Sequence, residues 1–405
     1  MKGKTLFTIA LASLSCVAPT QVLGDQGVLG VLLPGVGNSA PPAWVRLGLR
    51  LSYHVETATI AGLGSDWKED EDGLWETPDH KRWSPSEKGS NAAEGIMQFD
   101  LTALGRTSAA LLSSFYLVPR PGAAPQLSFQ YPVIGSPATT GGLWVNPLEL
   151  KKLQPTVTPT KKIVRMGYRI GTVTRPSVWI QSSNAQGCQV FVYDEATGIL
   201  LHNASSVTAG PQRVTGKNET NTPSVTLSDG TLVNQRVLDL PWMSDSSEPW
   251  CSNPPPMSYS GSTTVPTAGG LPLVLTQLMT VKPKLHGEGW ALFDVLLQTT
   301  NRIGMPSTTS PSLTISGLGQ LGGAYIPPSA LRALRKGQRI DSDQITGIVT
   351  TVQAVSNTEV VIVAANGAQT LTWGYDLRSG LLSRIEKADH SPFAPIKTQL
   401  RLSGK

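Results

Sequence analysis

The sequence predicts a mainly β, α+β protein: two tandem copies of a short helix packed on a curved antiparallel β meander. Two recurrences and the composition lead there. The run Gly141-Gly142-Leu143-Trp144-Val145-Asn146-Pro147-Leu148-Glu149-Leu150 returns in outline as Gly322-Gly323-Ala324-Tyr325-Ile326-Pro327-Pro328-Ser329-Ala330-Leu331. Downstream, Tyr193-Asp194-Glu195-Ala196-Thr197-Gly198-Ile199-Leu200 returns as Tyr375-Asp376-Leu377-Arg378-Ser379-Gly380-Leu381-Leu382, and the spacing between the two motifs is kept to within one residue. Gly (40) and Pro (31) together exceed the roughly 12% of an ordinary globular chain, while 40% hydrophobic residues suffice for a core.

Taken in order, residues 1–24 read as a secretory signal. Lys2 and Lys4 precede an apolar run from Leu6 to Leu14, and Val22-Leu23-Gly24 ends on a small residue at the expected cleavage point. Ser13 stands where a lipid-attachment motif ending at Cys16 would carry an aliphatic residue, which argues against lipidation. Residues 25–44 form a Gly/Pro-rich leader without periodicity. From Val45 to Glu56, apolar Val45, Leu47, Leu49, Leu51, Tyr53 and Val55 alternate with Arg46, Gly48, Arg50, Ser52, His54 and Glu56. That period of two predicts a long strand with one face on a core and the other in water.

The first β-rich repeat is expected over 45–210, a connector with strands and loops over 211–270, and the second repeat over 271–405. Asn146-Pro147 and Pro327-Pro328 mark helix starts, because proline is tolerated at the first helical position, where no amide donor is needed. Gly337 supplies a stop for the second helix. Strands follow in both copies. Asn366-Gly367 is a hairpin signal, since both residues accept positive φ. Further upstream, Gly95-Ile96-Met97-Gln98-Phe99-Asp100-Leu101 matches Gly289-Trp290-Ala291-Leu292-Phe293-Asp294-Val295.

Charge and cysteines bound the function. The net charge of +5 includes Lys2 and Lys4 of the signal, and the remainder is too small to argue for nucleic acid. No later apolar run approaches the roughly 20 residues of a spanning helix, so no transmembrane segment is expected. With Cys16 in the signal, Cys188 and Cys251 remain as an even pair in an oxidising compartment, which predicts a disulfide. The expected location is secreted or periplasmic.

Two local patterns invite chemistry. The paired Asp194 and Asp376 evoke a carboxylate dyad, but an aspartate followed by Ser/Thr-Gly is better read as a turn-former that accepts backbone N–H groups. Between Asp66 and Asp79 the chain is strongly acidic, and calcium is the one cofactor this admits. Lys68 and Asp79 break the EF-hand pattern. A looser oxygen site from Asp66, Asp70, Asp72, Glu76 and Asp79 competes with an exposed acidic loop. Trp67, Trp75 and Trp83 flank the same run and are candidates for surface contact. No nucleophile elbow, zinc motif or phosphate loop occurs, and His54, His80, His202, His286 and His390 are scattered.

The helix-plus-meander plan is similar to that of the half-barrels of lipoprotein carriers. The resemblance implies an apolar concavity between helix and sheet, and it transfers no residues. The expected function is an exported, non-enzymatic cell-envelope binding protein for a lipid or other apolar or amphipathic ligand. Trp144, Leu148, Leu150, Tyr325, Leu331 and Leu334 would line the site. One alternative is a structural or adhesive component that contacts an envelope protein or polysaccharide through 66–83; another is a hydrolase with a dispersed site.

Overall fold

The computed structural model describes residues 38–61, 68–69, 75–76, 82–83, 91–184, 187–209, 224–245, 248–266, 271–300, 306–308, 311–390 and 395–403. The signal segment therefore lies outside the described residues. The chain forms two compact units. The first includes Tyr53–Gly95 and Ala138–Val233; the second is Trp44–Ser52, Ile96–Pro137 and Asn234–Lys405. Strand accounts for 62% of the structure and helix for 6%.

The strands up to the first helix are β1 (Leu49–Ala61), β2 (Lys68–Glu69), β3 (Trp75–Glu76), β4 (Arg82–Trp83), β5 (Asn91–Leu104), β6 (Ala109–Val118) and β7 (Gln126–Gly135). Helix α1 (Pro147–Lys152) follows, then β8 (Thr156–Val157), β9 (Lys161–Ile170), β10 (Val173–Asn184), β11 (Gly187–Asp194), β12 (Leu200–Ala209) and β13 (Ser224–Val237). Helix α2 (Glu248–Cys251) precedes β14 (Met257–Val265), β15 (Leu273–Gly287), β16 (Trp290–Thr300), β17 (Pro306–Thr308) and β18 (Ser312–Gly317). Helix α3 (Pro328–Ala333) leads into β19 (Arg339–Ser342), β20 (Val349–Val355), β21 (Glu359–Ala365), β22 (Gln369–Asp376), β23 (Leu382–Asp389) and β24 (Lys397–Leu402).

Two large antiparallel sheets result, with strand orders β7-β6-β5-β1-β13-β12-β11-β10-β9-β8 and β17-β16-β15-β14-β24-β23-β22-β21-β20-β19; β18 pairs with β16 beside the second path, and β2-β3-β4 make a small separate sheet. In both large sheets the last strand of the meander after the helix returns beside the first strand of the block. Position in the sheet equates β16 with β6, so the sequence match of Gly95–Leu101 to Gly289–Val295 pairs segments one strand apart. The sheets are not strongly curled, which corrects the curved meander expected from the sequence. Register shifts occur at Phe115/Tyr116, Val192/Tyr193, Pro283/Leu285, Arg339/Asp341, Val352/Ala354 and Gly374/Tyr375, once in each of those strand pairs, while β9 and β10 run in unbroken register from Val173↔Ile170 to Ser182↔Lys161. Single shifts bend a strand locally, whereas strong curling of a whole sheet takes bulges or glycine kinks repeated along its strands.

Helices α1 and α3 are each six residues long. In α1 the Asn146 side chain accepts the Leu148 N–H at 2.9 Å and Pro147 occupies the first turn. The exposed carbonyls at its other end accept from Arg165, at 2.8 Å for Leu150 O and 3.4 Å for Leu153 O. At the end of α3, Arg335 does the same for Ala333 O and Leu334 O, at 3.2 and 3.4 Å. A guanidinium at a helix C-terminus satisfies orphan acceptors and opposes the dipole.

The repeated motifs make the same bonds at both places. Asp194 Oδ1 accepts the N–H groups of Ala196 and Thr197 and the Thr197 hydroxyl; Asp376 Oδ1 accepts those of Arg378, Ser379 and the Ser379 hydroxyl. Gly198 and Gly380 both sit at φ +74°, with backbone carbonyl oxygens of Val145 and Ile326 where a Cβ would be. Tyr193 donates to Gly142 O at 2.7 Å and Tyr375 to Gly323 O at 2.9 Å. Tyr53 donates to Leu200 O and Tyr259 to Leu382 O, both at 2.9 Å. Burial pushes all four phenols well above their ordinary range, so they stay protonated donors.

In the second unit the core gathers Trp242, Leu318, Leu331, Leu334, Val352, Ile362 and Tyr375. In the first, Trp144, Leu150, Val178, Ile180 and Tyr193 are fully buried. No disulfide joins Cys188 and Cys251, which corrects the expected pairing. Cys188 lies on β11 among the side chains of Gln181 and Ser183, in the first unit, and Cys251 is buried at the end of α2, in the second. An even count in the sequence carries no information about whether two thiols meet.

Candidate functional site in the second unit

Strand β1 carries the first departure from its alternating pattern. Arg50 and Ser52, expected to face water, are 6% and 0% exposed. A buried guanidinium needs carboxylates, and Arg50 has two. Its Nε and Nη2 donate to the two oxygens of Asp100 at 2.6 and 2.7 Å, and its Nη1 donates to Asp343 Oδ2 at 2.8 Å. Arg236 makes a second fork onto Asp341, at 2.6 and 2.8 Å, and reaches Asp343 Oδ2 at 3.0 Å. Gln98 adds a bond to the same oxygen at 2.9 Å.

Asp343 is thus the joint of the network. Its other oxygen accepts the N–H groups of Ile345 and Thr346 at 2.9 and 3.0 Å, and its own N–H donates to Ile348 O. Burial alone would raise this carboxyl, but the Arg50 charge, the Thr346 N–H and the Gln98 bond outweigh it and hold it well below the usual carboxylate range. For Arg50, burial works against the charge and the adjacent Asp100 outweighs it.

Asp343-Gln344-Ile345-Thr346-Gly347 is a third instance of the Asp-x-x-Ser/Thr-Gly turn, with Gly347 at φ +67°. Sequence reasoning passed over it because no tyrosine precedes the aspartate. The recurring Asp-x-x-Ser/Thr-Gly string was the signal that could have found it. In this copy the turn leaves one oxygen free to hold two arginines.

In the same unit lies an open cleft of about 750 Å³. Leu47, Ala103, Leu104, Met243 and Leu318 contribute apolar groups to its lining; Thr102, Arg106, Ser244, Asp245, Ser252, His286 and Glu288 supply polar groups. Glu288 occupies the two-residue link between β15 and β16, with Gly289 at φ +80° completing the turn. Its carboxylate accepts the Arg106 N–H at 2.8 Å, and Gly105 allows the approach, since a Cβ there would lie 2.8 Å from Glu288 Oε2. The Arg106 guanidinium stands 3.9 Å from Glu288 and is 92% exposed, so the pair contributes little to stability. Asp245, half-buried, accepts the Ser329 hydroxyl at 2.6 Å.

The residues expected to line a ligand site fall elsewhere. Trp144 and Leu150 are fully buried in the first unit, and Trp144 bridges to Ile199. Leu331 and Leu334 belong to the second unit's core, and Tyr325 bridges to Leu381 and stacks on Trp250 with ring centroids 5.0 Å apart. Leu148 is 63% exposed. In the acidic run, Trp75 and Glu76 lie in β3 and Trp83 in β4, with Trp75 opposite Trp83 in register. Asp66, Trp67, Asp70, Asp72 and Asp79 lie outside the described residues. Among the described residues no group of three or more His, Cys, Asp or Glu side chains is placed to hold a metal ion. No helix among them is long and apolar enough to cross a membrane. Compared with known proteins, the chain matches no family model and no curated protein.

Proposed function

We propose that this chain is an exported, non-enzymatic binding protein of the cell envelope that takes a small amphipathic molecule in the cleft of its second unit. The observation that carries the reading is the cleft itself: about 750 Å³ of room, lined by apolar side chains together with hydroxyl and charged groups. That volume lies in the range of small-molecule sites. The helix side is a poorer candidate, because Trp144, Leu150, Leu331 and Leu334 are already enclosed by their own neighbours. Matching hydrogen bonds around Tyr193 and Tyr375, and the same return of the last strand beside the first, favour descent of the two blocks from one duplicated unit. On this reading the chain carries one scaffold twice, and the ligand site belongs to the second.

Native mass spectrometry of the protein purified from its own envelope tests the proposal. The expected result is added mass of a few hundred daltons that disappears on denaturation and is reduced or absent in Ser244→Trp, whose indole would intrude on the cleft. A bare mass in both states, with no small molecule recovered by solvent extraction, would overturn it.

A further inference from the structure

We propose that the cleft selects a ligand with a cationic head, an alkylammonium or a related amine, held by Asp245 with its apolar part against Leu47, Met243 and Leu318. The inference rests on the reading of the cleft as the binding site and adds the chemistry of what enters it. Three carboxylate or guanidinium side chains line the cleft: Asp245, Glu288 and Arg106. Arg106 already faces Glu288 at 3.9 Å and its guanidinium is almost wholly in water. Asp245 is different. Its Oδ2 accepts the Ser329 hydroxyl at 2.6 Å, and among the described residues no lysine or arginine forms an ion pair with it.

A half-buried carboxylate with one oxygen engaged offers the other to a donor from the cleft. An ammonium donor is favoured over a neutral one, because charge-assisted hydrogen bonds are roughly twice as strong. The chain as a whole carries a net charge of +5, so a preference for cations cannot come from its overall field and must be local. The loop holding Asp245 is built by successive tight turns, Met243 N–H to Leu240 O at 3.0 Å and Asp245 N–H to Trp242 O at 3.2 Å. Trp242, three residues before Asp245, is 1% exposed and anchors that loop in the core.

Isothermal titration of the full chain at neutral pH and low salt, with n-octylamine, n-octanol and n-octanoate as probes, tests this. Octylamine should bind at least tenfold more tightly than octanoate. Asp245→Asn should abolish that preference while leaving octanol binding unchanged, and Asp245→Glu should retain it. The glutamate variant keeps the test decisive if the asparagine variant proves unstable. Equal binding of all three probes, unaffected at position 245, would overturn the cationic selection and leave the cleft as a binding site. Failure of every probe to bind, with Ser244→Trp indistinguishable from the parent chain, would remove both readings.

Discussion

Arg50 and Asp343 lie 293 positions apart in sequence and are joined by a 2.8 Å hydrogen bond between side chains that are 7% and 1% exposed. With Asp100, Asp341 and Arg236 they form a continuous chain of ion pairs inside the second unit. Such a network need not add to stability against an apolar replacement, but removing one member strands its partners without water or counter-charge.

Arg50→Ala should therefore destabilise the protein by about 3–5 kcal/mol, the usual cost of breaking a buried pair. Urea unfolding followed by tryptophan fluorescence would measure it. A loss below about 1 kcal/mol, as for a surface ion pair, would mean that water reaches the network and satisfies Asp100 and Asp343.

Acid should reach the same network through Asp343. Its folded carboxyl titrates well below the unfolded value of about 3.9, so the stability it contributes is complete above that value and is lost as pH falls through the folded one. Between about pH 5 and pH 2 the unfolded chain takes up the proton first. Asp343→Asn should show a shallower fall in thermal midpoint over that range than the parent chain. Parallel acid limbs for the two proteins would count against the assignment.

Gly198→Ala and Gly380→Ala should each be strongly destabilising, because the new Cβ would sit 1.7 Å from Val145 O and 2.3 Å from Ile326 O. Gly171 also has positive φ, at +57°, but open space around it. Gly171→Ala should cost only the left-handed penalty of about 1–2 kcal/mol. Thermal unfolding of the three variants separates the terms, and similar losses in all three would show that the backbone yields at the tight positions.

The paired phenols provide a check on equivalence of the two blocks. Tyr193→Phe and Tyr375→Phe each remove the donor to a glycine carbonyl, Gly142 O and Gly323 O. Each should cost about 1–3 kcal/mol, the price of an unsatisfied buried acceptor. Hydrogen exchange should show the loosening confined to residues around the altered turn, in its own unit.

Much of the local architecture could be read along the chain. Pro147 and Pro328 open helices because proline needs no donor at the first turn, and the spaced Tyr-Asp-x-x-Ser/Thr-Gly motifs close turns because aspartate and glycine have those conformational properties wherever they occur. The six residues expected around the helices were a harder matter. Their apolar character is equally compatible with lining a cavity and with filling one, and four of them are completely enclosed by other side chains. Leu148, two residues before Leu150 and so on the opposite side of the helix, points to solvent although the two are chemically identical.

What the sequence determined by itself was the β-rich class, the positions of α1 and α3 and the repeated turns, all of which depend on residues within about ten positions of one another. The tertiary structure alone decided that the water-facing side of β1 would be covered at Arg50, that Asp343 would receive it, that no disulfide would join Cys188 and Cys251, and that a cleft would open beside Asp245. These depend on which distant strands become neighbours. Alternation shows that a strand has two faces; only the packed chain decides what each face meets.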